Sequence, residues 1–168
     1  AMSSRTRSSL DGRLFDRQYS VYAEHSLTQD AARTRRICSI NRDRGLSMTV
    51  RTKRRMSNGV LFVDDSGGGI LPKEILAQPI NATSTCVMVT CMHEQLGKTD
   101  ITLGPADGEE PAFPLYFDGI IATPNRRVSV SMVPADVILE ERVPYTQTRI
   151  RVWRDHPEWP ERVVVGWG

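Results

Sequence analysis

No stretch of this 168-residue chain approaches the roughly 18 consecutive apolar residues that a membrane span requires. The polar, Arg/Ser-rich start from Ala1 to Leu10 lacks the apolar segment of a secretory leader. A water-soluble, cytoplasmic protein is the expectation, with Ala1 ahead of Met2 reading as a cloning remnant. Histidine and cysteine are scarce, three of each. His25, His93 and His156 stand apart, and no HExxH, HxH or His-Cys spacing joins them into a metal-ligand set. Cys38, Cys86 and Cys91 form neither an even disulfide framework nor a zinc pattern, so reduced thiols are expected and neither a metal nor another cofactor is called for. Cys86 and Cys91 are five apart in a β-prone run, an odd offset that points them to opposite faces of a sheet.

Long helical periodicities are also missing, and with them the alternation of strand and helix that a doubly wound fold needs. Short β-prone runs are present instead. They cover 14–22, 45–56, 60–65, 83–92, 100–103, 113–121, 127–133, 136–143, 148–153 and 162–167. Val128, Val130 and Met132 alternate with polar neighbours, as do Ile150 and Val152 against Arg149 and Arg151. The prolines at 105, 111, 114, 124, 134, 144, 157 and 160 fall between these runs or at their edges, where a missing N–H does no harm. Pro72 opens PKEILAQ, a candidate for one short helix. The expected fold is all-β: a two-sheet, jelly-roll-like sandwich of about ten short strands, occupying residues 13–168 behind a flexible polar tail at 1–12. Ser57-Asn58-Gly59 supplies the positive φ values of a tight turn, so the runs on either side are expected to pair as a hairpin.

Two chemical constellations merit testing. Cys91 and His93 share a strand face by the two-residue period, but sit about 7 Å apart and lack an orienting acid. FVDDSGGG sets Asp64 and Asp65 before a glycine-rich loop without the Lys-Ser/Thr of a phosphate loop or the spaced oxygens of a calcium loop, and a plain turn needs the same residues. No catalytic residue is assigned, and the chain reads as a non-enzyme.

Charge is divided rather than lacking. Residues 1–62 carry 13 Lys/Arg against 5 Asp/Glu, and the remainder carries 9 against 15. Arg51, Lys53, Arg54 and Arg55, with Arg33, Arg35, Arg36, Arg42 and Arg44, form a candidate stripe for nucleic-acid phosphates, although aromatic residues for base stacking are missing from it. The C-terminal quarter carries Glu140, Glu141, Asp155, Glu158 and Trp159, the last in a Pro-bounded loop. An exposed Trp among charges is the composition of a protein-binding hot spot, whereas Trp153 and Trp167 read as core plugs.

The early run LFDRQYSVY and the late runs VSVSMVPADVILEERV, TRIRVW and ERVVVGW resemble the small bacterial sandwiches that include competence-linked inhibitors of a DNA-entry nuclease, and toxin-neutralising immunity proteins of similar build. That resemblance implies a non-enzymatic, bacterial protein that binds and silences a protein partner. The chain departs from it in charge, since an inhibitor that mimics nucleic acid is acidic and this chain carries a net +2. Nucleic-acid binding through the basic run and self-assembly of a structural jelly roll are the competing readings.

Overall fold

The computed structural model describes residues 35–39, 47–73, 78–107, 111–133 and 135–168. Within them lie eleven strands: β1 (Arg35–Ser39), β2 (Ser47–Arg54), β3 (Val60–Asp65), β4 (Ile80–Ala82), β5 (Cys86–Thr90), β6 (Thr99–Pro105), β7 (Leu115–Ala122), β8 (Arg127–Met132), β9 (Asp136–Arg142), β10 (Gln147–Arg154) and β11 (Arg162–Trp167). They form a six-stranded sheet, ordered β1-β2-β6-β11-β10-β7, and a five-stranded sheet, ordered β4-β5-β3-β8-β9. Neither closes into a barrel. The two-sheet sandwich is as the alternation implies. The polar tail and the run at 14–22 lie outside the described residues, as does most of the PKEILAQ segment.

The alternation decides which side chains meet between the sheets. Ile101 and Leu103 of β6, Ile150 and Val152 of β10, and Val163 and Val165 of β11 point inward from the larger sheet. Leu61 and Val63 of β3, Val87 and Val89 of β5, and Val128 and Val130 of β8 meet them from the smaller one. Burying one such side chain contributes roughly 1.5–3 kcal/mol, so this layer is the main source of stability. Phe62, Cys86 and Met88 form a second buried cluster, separate from the one that holds Cys91. The two cysteines therefore fall on different faces of the sheet, and both are free thiols. Burial pushes each thiol up to about 12.

The expected Asn-Gly hairpin is not formed. Asn58 and Gly59 do adopt φ of 59° and 61°, but β2 pairs with β1 and β6 while β3 pairs with β5 and β8. Ser57–Gly59 is a single 3-10 turn that carries the chain from one sheet to the other. Met56 plugs the corner, fully buried and bridged to His93, and the Cys91 N–H donates to the Gly59 carbonyl at 2.7 Å. A Cβ at Gly59 would stand 3.1 Å from the Cys91 oxygen. The positive φ serves this close crossing, not a two-residue reversal.

The registers sort the loops into two ends. At one end lie 55–59, 91–98, 111–114 and 155–161, tied by Thr99 Oγ1 donating to the Pro160 carbonyl at 3.4 Å and by the Arg154 N–H donating to that of Pro114 at 3.3 Å. At the other lie 66–70, 83–85, 123–126 and 143–146, tied by the Ala122 N–H donating to the Ser84 carbonyl at 2.8 Å and by the Val143 N–H donating to that of Arg126 at 3.0 Å.

Arg154 closes the first end from within. The inward period of β10 runs Thr148, Ile150, Val152, Arg154, and the arginine is 0% exposed. Its Nη2 donates to Thr90 Oγ1 at 3.0 Å and its guanidinium lies 5.0 Å from the Tyr116 ring centre, but Nε and Nη1 have no hydrogen-bond partner. Burial holds the guanidinium below its ordinary value. A buried guanidinium to which no carboxylate is hydrogen-bonded is costly, and an apolar side chain of similar length removes that cost. Arg154→Met is expected to raise the unfolding free energy in urea by about 1–3 kcal/mol. A loss of stability would contradict this account.

Candidate functional site

The loop at 155–161 is built to hold one side chain out. At its base the Asp155 N–H donates to the Arg162 carbonyl at 3.3 Å, while Asp155 accepts from the Arg162 N–H at 3.0 Å and from Arg162 Nε at 3.3 Å. Arg162 also lies over the Phe113 ring at 4.7 Å. Inside the loop His156 Nδ1 accepts from the backbone N–H groups of Glu158 at 3.1 Å and Trp159 at 3.0 Å. Pro157 and the buried Pro160 restrict φ on both sides of the tryptophan. Trp159 emerges 50% exposed from a backbone fixed on either side, with exposed Glu158 beside it. A fixed aromatic anchor loses little freedom on binding.

The residues expected to form one partner surface are not all brought together. Asp155, Glu158 and Trp159 share this loop, and Asp155 closes it. Glu140 and Glu141 lie on β9, four and five residues beyond Asp136, so roughly 14–17 Å further along the strand toward the opposite end. Glu140 is ion-paired with Arg127. Trp153 and Trp167 lie where the sequence suggests. Trp153 is buried with its ring over Gly166, and Trp167 packs partly buried against the core. Two exposed apolar residues at the same end as Trp159 were not singled out in the sequence: Leu96 and Leu115. Isolated leucines in loops or at strand starts carry no periodic signal.

The basic run has acidic neighbours. Arg51 makes a two-pronged pair with Asp100, Nε to Oδ1 at 2.6 Å, which raises the arginine's pKa. Arg54 meets Asp136 at 3.3 Å, and Arg55 donates to the Glu94 carbonyl. Lys53 is exposed on the outer side of β2. Arg35 and Arg36 lie in β1; Arg33, Arg42 and Arg44 lie outside the described residues.

The other candidates resolve into local structure. Asp65 accepts from the Gly67 N–H at 3.0 Å, the Asn125 N–H at 3.0 Å and Asn125 Nδ2, pinning two loops together. Asp64 accepts from Ser129 Oγ at 2.9 Å, and burial lifts its carboxyl above the ordinary value. FVDDSGGG is thus the end of β3 and the turn that follows it. Cys91 is buried, which raises its thiol pKa, and its Sγ donates to the Val89 carbonyl at 3.7 Å, while His93 Nδ1 accepts the Gln95 N–H at 3.3 Å, so each has a local backbone partner. Among the described residues no three His, Cys, Asp or Glu converge to hold a metal, and no helix is long and apolar enough to cross a membrane.

No protein-family model and no curated protein matches the sequence. Among solved structures the chain is similar to the crystal structure of ComJ, inhibitor of the DNA degrading activity of NucA, from Bacillus subtilis. The TM-score is 0.55 at 7% identity, over 70% of this chain and 92% of that one. The chain shares its sandwich fold with that inhibitor, the kind of fold its strand patterning resembles.

Proposed function

We propose that this chain is a non-enzymatic protein-binding module that inhibits or neutralises a protein partner, a nuclease or a toxin, by presenting the 155–161 loop. The observation that carries the reading is Trp159, half-exposed on a loop pinned by Asp155, His156 and two prolines. Aromatic anchors held rigid and surrounded by polar residues dominate protein interfaces. Leu96 and Leu115 extend the apolar part of the same end. The shared fold with an inhibitor of a DNA-degrading protein supports the choice of partner class. Glu140 and Glu141 stand apart from this surface and take no part in the reading.

Co-expression with the products of adjacent genes in the native host tests it. A stoichiometric complex in which the partner's nuclease or toxic activity falls is the expected result. Absence of a complex with every such product, and full activity of any nuclease or toxin among them, would remove the proposal.

A further inference from the structure

Among the described residues, β7 ends the six-stranded sheet. The strand β7 pairs with β10, and no strand among the described residues pairs with its other side. Which backbone groups face that open side follows from the ladder. The Ala122 N–H turns away from β10 to the Ser84 carbonyl, and the lateral direction alternates along a strand, so the N–H and C=O groups of Asp118 and Ile120 point outward too. The open stretch is bounded on both sides. Between Val152 and Trp153 the register slips by one, which leaves Tyr116 as an extra residue of β7 without a partner on β10, and the Ala122 N–H is already taken.

Among the described residues the usual protection of an edge is missing between these bounds. No lysine, proline or bulge interrupts 117–122, and Ile120 is 64% exposed. The single charge, Asp118, is neutralised by a two-pronged pair with Arg149, at 2.7 and 2.6 Å, which holds the carboxyl below its ordinary value.

We propose that β7 is a self-association edge: two copies of the chain pair antiparallel about Gly119, joining their six-stranded sheets. The register follows from the bounds, because Gly119 is the midpoint between Tyr116 and Ala122. In this register Asp118 of each copy faces Ile120 of the other, and the two residues exchange both backbone hydrogen bonds on each side of the two-fold axis. Gly119 meets its own copy as a non-hydrogen-bonded pair, the position where strands approach most closely, to about 4.5 Å between Cα atoms. A Cβ there would already stand 2.7 Å from the Phe117 ring. The two Ile120 side chains lie diagonally across the axis, within reach of each other. Moving the axis to Asp118 would set Ile120 against the bulged Tyr116, and moving it to Ile120 would draw in the occupied Ala122 N–H. Self-complementarity about one residue favours a second copy over a partner's extended segment.

Sedimentation equilibrium tests this. The apparent mass of the wild type is expected to rise with concentration toward twice that of the chain, and Ile120→Lys to remain monomeric with an unchanged melting temperature. Two cysteine variants read the register independently. Asp118→Cys mixed with Ile120→Cys is expected to form a disulfide-linked dimer on mild oxidation, and either variant alone to form much less, because hydrogen-bonded pairs across antiparallel strands place their Cα atoms about 5.5 Å apart. A wild type that is monomeric at every concentration overturns the proposal. So does association that Ile120→Lys leaves intact, or a mixture that links no better than its components. If Ile120→Lys abolishes binding of a protein partner while the free chain is monomeric, the edge belongs to that partner's strand and the self-association proposal is wrong.

Discussion

Asp65→Ala is expected to lower the unfolding free energy by about 3 kcal/mol in urea titration. The carboxylate is 2% exposed and accepts three hydrogen bonds, two from Asn125 and one from the Gly67 N–H. Truncation leaves those donors facing an empty space that water only partly refills. Each charge-assisted bond of this kind contributes roughly 1.5–3 kcal/mol, and the donors on exposed loops recover part of that from solvent. Asp65→Asn keeps an accepting oxygen at the site and is expected to lose about half as much. Because Asn125 begins the approach to β8 and Gly67 follows β3, the loss also loosens the end of the sandwich opposite Trp159. Partner affinity at the Trp159 loop is therefore expected to stay unchanged. A metal or phosphate role for the Asp64-Asp65 pair makes the opposite forecast, with little change in stability and a large change in ligand binding.

The two-sheet architecture is legible in the sequence because short-range alternation decides it. Arg162–Trp167 is found with the expected bounds, since three consecutive β-branched valines follow a proline closely and nothing else competes for the segment. Strands β8 and β9 are legible for the same reason, as β-prone runs on either side of Pro134, although their pairing was not expected. Two strands were missed, β1 and β4. RRICS is mostly polar or charged, and INA is three residues long, so both are strands because a neighbour pairs with them and not because of their own propensity. Partner choice is the part that local pattern does not carry. Asn58-Gly59 correctly signals positive φ, but the turn's dihedrals are compatible with a crossover as well as a hairpin, and only the burial of Met56 against His93 decides between them. The parallel pairing of β6 with β11 joins segments some sixty residues apart, beyond any local signal.

The candidate site is legible in part, and for a similar reason. The pattern D-H-P-E-W-P marks a turn with a tryptophan in it, and the structure adds why that tryptophan stands out: Asp155 and His156 are both spent on backbone N–H groups of the loop. Acidic residues at 140–141 look equivalent in composition, but β9 carries them toward the other end. The charge asymmetry is likewise real in sequence and altered in space, because Asp100 and Asp136, from the acidic part of the chain, lie against Arg51 and Arg54. Such exposed pairs contribute little to stability, of order 0–1 kcal/mol, but they neutralise the field that a phosphate backbone would meet.

Trp159→Ala carries the second large expectation. The side chain is half in solvent, so its removal is expected to change folding stability by less than about 1 kcal/mol, whereas a tryptophan at the centre of an interface contributes 2 kcal/mol or more to binding. That difference corresponds to a loss of affinity of about 30-fold or greater. His156→Ala, which frees the N–H groups of Glu158 and Trp159, is expected to give a smaller loss by loosening the loop without deleting the anchor. Glu140→Ala is expected to leave affinity unchanged.

The decisive measurement is calorimetric titration of the purified partner with wild type and with Trp159→Ala, alongside the melting temperature of each. The variant is expected to melt with the wild type and to bind at least about 30-fold more weakly, with partner inhibition lost in parallel. Equal affinity and equal inhibition by the two proteins would contradict it.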